Sequence, residues 1–492
     1  MTAWRPHGPT AVLGLVLLSA CASGGAVRPS GRPTVFWGPE NRVMISDFSE
    51  VEAVAASSWL VFAATTHGLL IYDRVSRRFR PPVTVLDGYP GGRVRRAIAD
   101  PLGNAVWLDL GAGAGYFRYD VDGRTWTFGS VPSMQANETL TVEAALASAP
   151  LADAMRAAIL TDPRLRTHQF TAAAATPDRP EVFFGTNGMG MVRVDRQTGE
   201  WEVLTYGLLA PGVGAVALAP AGAGGGGGGI WAATNARPGA PRRGLTWVAS
   251  DLSATRSTEG GRAALGFSFL YSRRLVSAGN QLWLATEQGV LRIDSSTFQS
   301  RFWDLPDATC LALARDGMWV GTTRGLSFIK ADDRVQEFGP NLAITSVLPA
   351  ADTLWVGTKG GLGQVLPGAN AITTPMGLED RPSLRIPVYA LGHLQDTIVM
   401  ATERELLWRN PATRVWTSLP LPLGLGIPTA LAVDHDGALW IGGTRGLAQA
   451  DITSALIRVH AVPLEVPAAV RDLAADRDFL WVATDSGLVR IQ

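Results

Sequence analysis

The 492-residue chain has only two cysteines, Cys21 and Cys310, so no network of disulfides holds it together. Cys310, inside Thr309-Cys310-Leu311-Ala312-Leu313, reads as a small core residue and not as a nucleophile. Excess charge is also lacking, with 43 basic against 43 acidic side chains, and nucleic-acid binding rests on a surplus of Lys and Arg. The histidines past the N-terminal region, His67, His168, His393, His435 and His460, show no ligand spacing, and no Ser-His-Asp set stands out. Gly111 to Gly115 and Gly224 to Gly229 precede no helix start of the phosphate-loop kind. Asp120-Val121-Asp122-Gly123 and Asp434-His435-Asp436-Gly437 match only the beginning of a calcium loop and lack its later bidentate Glu. No cofactor, no metal and no catalytic residue is expected from these patterns.

What is present begins with an address. Arg5 is followed by the apolar run Ala11 to Leu18 and by Ser19-Ala20-Cys21, the anatomy of a secretory signal at 1–20. Eight apolar residues are too few to span a bilayer core of about 30 Å. Leu18-Ser19-Ala20-Cys21 resembles a bacterial lipobox, which implies cleavage before Cys21 and a lipid on its thiol. Ala22 at the next position, where Asp would signal retention, implies by the same resemblance an outer-membrane lipoprotein, facing either the periplasm or the surface. Residues 21–33, rich in Gly, Pro and Ser, read as a flexible tether. Loss of the signal leaves 42 basic against 43 acidic residues.

The remainder, 34–492, is one unit copied many times. The clearest copy is Met318 to Leu326, MWVGTTRGL. Aligned on the aromatic or apolar residue three before the Thr, the copies fall at Phe62, Trp107, Phe183, Trp231, Trp283, Trp319, Trp355, Val399, Trp440 and Trp481. Their spacing is 36 to 52 residues except for one of 76, and periods near 40 belong to four-stranded propeller blades. Each copy places an apolar strand and a polar turn before the motif, and two further strands after it. The small residue before the Thr lets sheets approach, and the aromatic fills the space between them. The expected fold is all-β: a β-propeller of about ten four-stranded repeats. The chain ends after the third strand of the last unit, and Arg42 to Phe48 has the pattern to supply the fourth. A single ten-bladed ring follows most simply, with two smaller rings as the alternative.

The consensus resembles the regulator-propeller repeats of two-component sensor proteins over about Thr34 to Gln492. That resemblance implies the propeller fold and not a function; the leading expectation is a noncatalytic, lipid-tethered binding scaffold in the envelope. No kinase or output segment follows within the sequence.

Two features are candidates for function. The spacing of 76 contains an insert at about 130–170 with helical stretches Thr141 to Ala147 and Leu151 to Leu160, and Asn235 to Arg243 lengthens another turn. The turns between second and third strands place His67, Gln288, Arg324, Lys359, Arg404, Arg445 and Ser486 around a channel mouth, and of these His67, Arg324, Lys359, Arg404 and Arg445 form a candidate anion-binding set. The partner would be an envelope protein or a glycan. The competing reading is an enzyme, a lyase or hydrolase, with its site in the channel mouth.

Overall fold

The computed structural model describes residues 41–101, 104–111, 115–130, 140–149, 153–220, 228–235, 242–260, 269–375, 385–410, 413 and 415–492. The signal, the tether and Cys21 lie outside them. Residues 36–492 form one compact unit. Within it the strands form ten antiparallel sheets, numbered here as blades 1 to 10 in chain order, and in eight of them four strands pair in sequence from the inside outward. Blade 7 has three strands, and the isolated pair Gln364 and Thr373 marks the place of a fourth. Strand β1, Arg42–Ile45, pairs with Gly487–Ile491 and completes blade 10, as its sequence pattern leads one to expect. Closure in this way removes an exposed sheet edge.

The ten blades do not make one ring. The inner strand of blade 4, Val213–Ala219, packs against that of blade 5 on one side and against that of blade 10, Val470–Ala475, on the other. Blades 4 to 10 therefore close a ring of seven. Blades 1 to 3 form an open arc in the spatial order 2, 1, 3, with the inner strand of blade 1, Val51–Ala56, between those of the other two. The arc is inserted between β1 and blade 4, and its two ends meet: Asp47 pairs with Gly207, and the amide of Leu208 donates to the Ser46 carbonyl. A shared core of Phe48, Val54, Tyr72, Phe183, Tyr206, Val216 and Trp481 joins arc to ring. The uniform repeat conceals this division, because every blade presents the same motif whichever circle it enters.

The interval of 76 follows from the same topology. The chain leaves blade 2 and must return past blade 1 to build blade 3. Helix α1, Val142–Ser148, starts at Thr141, whose hydroxyl accepts from the Ala144 amide at 3.2 Å. With α2, Asp153–Ile159, it lays Ala145, Ala149 and Ile159 on Ala173, Phe184 and Val192 of blade 3. That face of blade 3 has no neighbouring blade, and the helices cover it. Here the insert is a crossover and a cap.

The interior of a blade explains its motif. The motif threonine is buried in eight blades, and its hydroxyl ties off the turn that follows. Thr322 Oγ1 donates to the Gly325 carbonyl and accepts from the Gly325 amide, each at 3.0 Å, and Thr65, Thr286 and Thr484 repeat the arrangement. The residue before the Thr is small for a measurable reason. A Cβ on Gly321 would come 2.6 Å from Ile344 of the next blade, and one on Gly357 would come 2.9 Å from Val388. Between blades 5 and 6, Trp283 and Trp303 stack at 5.2 Å, and Arg292 lies across both while bonding Asp333 of blade 6 at 2.9 Å.

Candidate functional site

In the seven-bladed ring the turns between second and third strands share a face with the blade-to-blade crossovers. The amides of Thr323, Lys359, Thr444 and Asp485 donate to the carbonyls of Asp307, Ala343, Ile427 and Ala469, each just before or at the start of an inner strand. This is the mouth face. It carries Arg324, Lys359, Arg404 and Arg445 on four consecutive blades, 6 to 9, all exposed. Among the described residues none of these four has a carboxylate partner within ion-pair distance. His67 belongs to the arc, on blade 1, near Asp47 at the junction with the ring. The structure thus brings four of the five candidates onto one face of the ring and leaves the fifth outside that circle. Most of the second insert, 236–241, lies outside the described residues.

Sequence reading missed the channel wall. All seven inner strands of the ring carry a β-bulge at their second residue, visible as a register shift between the first and third. A bulge re-aims one side chain out of the sheet. From blade 4 to blade 10 the bulged residues are Gly214, Arg273, Thr309, Thr345, Tyr389, Thr429 and Arg471. All but Gly214 line a narrow channel space of about 80 Å³. That is room for a few waters or one small polar group.

Three bulged threonines clasp the next blade. Thr309 Oγ1 donates to the Ile344 carbonyl at 2.7 Å, Thr429 Oγ1 to the Val470 carbonyl at 2.9 Å, and Thr345 Oγ1 to the Val388 carbonyl. Thr171 in the arc does the same to Val51, which confirms that blade 1 follows blade 3 in space. A signal for these clasps exists in the sequence, in Ala308-Thr309-Cys310, Ile344-Thr345-Ser346 and Pro428-Thr429-Ala430. It stands apart from the motif on which the repeat was aligned.

One carboxylate reaches the wall. Asp472 of blade 10 pairs with Arg274 of blade 5, across blade 4, whose inner strand carries the small residues Gly214 and Ala215 there. It also accepts from the amides of Val216 at 3.1 Å and Leu473 at 3.0 Å. Burial pushes the Asp472 carboxyl up, and Arg274 with the two amides pulls it back. Ring closure places this pair, since blade 4 meets blade 10 there. Arg471 makes a two-pronged pair with Asp485 at 2.8 and 2.6 Å, whereas Arg273 stands 3.6 Å from Asp307. Burial raises the Cys310 thiol to about 11, consistent with a core residue. Among the described residues no cluster of His, Cys, Asp and Glu is arranged to hold a metal ion, and no helix is long and apolar enough to cross a membrane.

No protein-family model matches the chain, and no curated protein sequence matches it. Solved structures do. Virginiamycin B lyase from Staphylococcus aureus superposes with a TM-score of 0.46 at 12% identity, over 57% of this chain and 95% of the lyase. An extracellular domain assigned to a hybrid two-component system of B. thetaiotaomicron superposes with a TM-score of 0.45 at 13% identity, over 92% of this chain and 72% of that domain. At these values the likeness is one of propeller fold alone.

Proposed function

We propose that this protein is a noncatalytic binding module of the bacterial envelope, tethered by lipid on Cys21, whose mouth face receives an acidic glycan or an acidic patch on a protein partner. One observation carries the reading: four exposed cations, without carboxylate partners among the described residues, stand on four consecutive blades around one channel mouth. A rigid ring holds them with little loss of freedom on binding, and charge-assisted hydrogen bonds to carboxylates are the interaction such groups make best. The wall supports binding over chemistry. Its threonine hydroxyls donate to carbonyls, and its carboxylate is engaged by Arg274 and two amides.

The test is titration calorimetry with oligogalacturonate at low and moderate salt. The expected result is binding that weakens as salt rises and falls at least tenfold in Arg324→Ala/Arg445→Ala, with the melting temperature unchanged. Undiminished affinity in that double variant overturns the role of the turns. Metabolic labelling with palmitate tests the tether: label on the wild type and none on Cys21→Ala is expected, and an unlabelled wild type contradicts it.

A further inference from the structure

We infer that the channel mouth is itself a carboxylate site, with Arg273 and Arg471 as its donors and the Tyr389 hydroxyl across from them; this deepens the reading above and rests on it. The argument begins with what the bulges leave available. Three bulged residues are threonines whose hydroxyls donate to the next blade, so they are not free to serve a ligand. Gly214 contributes no side chain, and it sits between Arg273 on blade 5 and Arg471 on blade 10. A side chain at Gly214 would meet the Ser272 carbonyl at 2.3 Å and Asn235 Nδ2 at 2.5 Å, so the glycine keeps the wall low between the two guanidiniums. Tyr389 is on blade 8, on the far side of the ring from blade 4, and its hydroxyl has no hydrogen-bond partner among the described residues.

Charge favours an anion there. Asp472 is the carboxylate of the channel wall, and Arg274 neutralises it. The rim acids hold the two arginines unequally: Asp485 engages Nε and Nη2 of Arg471, so that residue can serve a ligand through Nη1, whereas Arg273 lies 3.6 Å from Asp307, beyond direct hydrogen-bond reach. In the same lining, Ser346 Oγ is buried over Gly357 without a partner among the described residues. The space of about 80 Å³ admits one carboxylate while the rest of its molecule stays outside, over the four turn cations. Two sources share this chemistry: a uronic acid of a glycan, and the C-terminal carboxylate of a peptide.

The experiment compares D-galacturonic acid with its methyl ester, and a free dipeptide acid with its amide, by chemical-shift changes and thermal upshift on the intact soluble chain. The inference expects at least one acid to bind and its neutral counterpart not to, with the responding pair identifying the source. Arg273→Gln is expected to weaken the acid at least tenfold, and Tyr389→Phe severalfold, while far-ultraviolet circular dichroism and melting stay unchanged. Equal binding of acid and neutral form overturns it, as does failure of both acids to bind or full affinity in Arg273→Gln. Loss of oligogalacturonate binding in Arg324→Ala/Arg445→Ala combined with full affinity in Arg273→Gln retires the channel site and leaves the mouth-face reading standing.

Discussion

At the scale of single residues, the motif threonine is the most informative position. Thr358 is 5% exposed, and its hydroxyl donates to the Gly361 carbonyl at 2.8 Å and accepts from the Gly360 amide at 3.0 Å. Thr358→Val keeps the shape and leaves those groups without their partner, at a cost of about 1–3 kcal/mol. Denaturant unfolding should report that loss, and Thr358→Ser should recover most of it; equal stability of the Val variant would show the hydroxyl to be idle. This role was legible in the sequence because the Thr recurs at a fixed place before a Gly. The four mouth-face cations were legible for the same reason, as polar variation beside a constant frame. Asp472 was not, because its partner Arg274 lies 198 residues away and meets it only after the ring closes.

At the scale of elements, the helical insert shows how far local pattern reaches. Its helices and their start at Thr141 are written in the sequence; their destination on the uncovered face of blade 3 is not, since it depends on blade 3 folding back beside blade 1. The segment after α2 fastens insert to ring. Arg166 grips Glu259, at the end of the outer strand of blade 4, through two bonds of 2.8 Å, and also bonds Asp162 at 2.6 Å. Burial of Asp162 acts to raise its pKa, but the amides of Arg164 and Arg166 and the side chains of Arg166 and His168 outweigh it and hold the carboxyl well below the usual carboxylate range. A depressed acid contributes stability that is fully present above its unfolded value of about 4 and is lost as pH falls toward the folded value. Asp162→Asn should therefore melt lower than wild type at pH 7, with the gap closing as pH drops below about 4. A gap independent of pH would remove the charge from this explanation. Strand β1 permits a second test of an element. Deleting Thr34–Phe48 strips blade 10 of its outer strand and should lower the melting temperature by many degrees, whereas an unchanged melt would show that closure contributes nothing.

At the scale of the whole molecule, ten repeats resolve into a ring of seven with an arc of three inserted after its first strand. Repeat counting could supply the number of blades and the closing strand; the split depends on which inner strands meet, as those of blades 4 and 10 do. Because Asp47 and Gly207 are paired at the base of the arc, joining residue 50 to residue 205 through a short glycine linker should leave a ring that folds alone, less stable than the parent because Phe48 and Tyr206 lose the packing of Tyr72, Phe79 and Phe183. A chain without cooperative melting after this excision would make arc and ring a single folding unit. The central claim is that the ring's mouth face is the binding surface. The most direct measurement is hydrogen exchange of the intact soluble chain with and without oligogalacturonate. The expected result is added protection at the turns around 323–325, 359–360, 403–404 and 444–445; protection confined to the opposite face or to the arc, or none anywhere at saturating ligand, would contradict it.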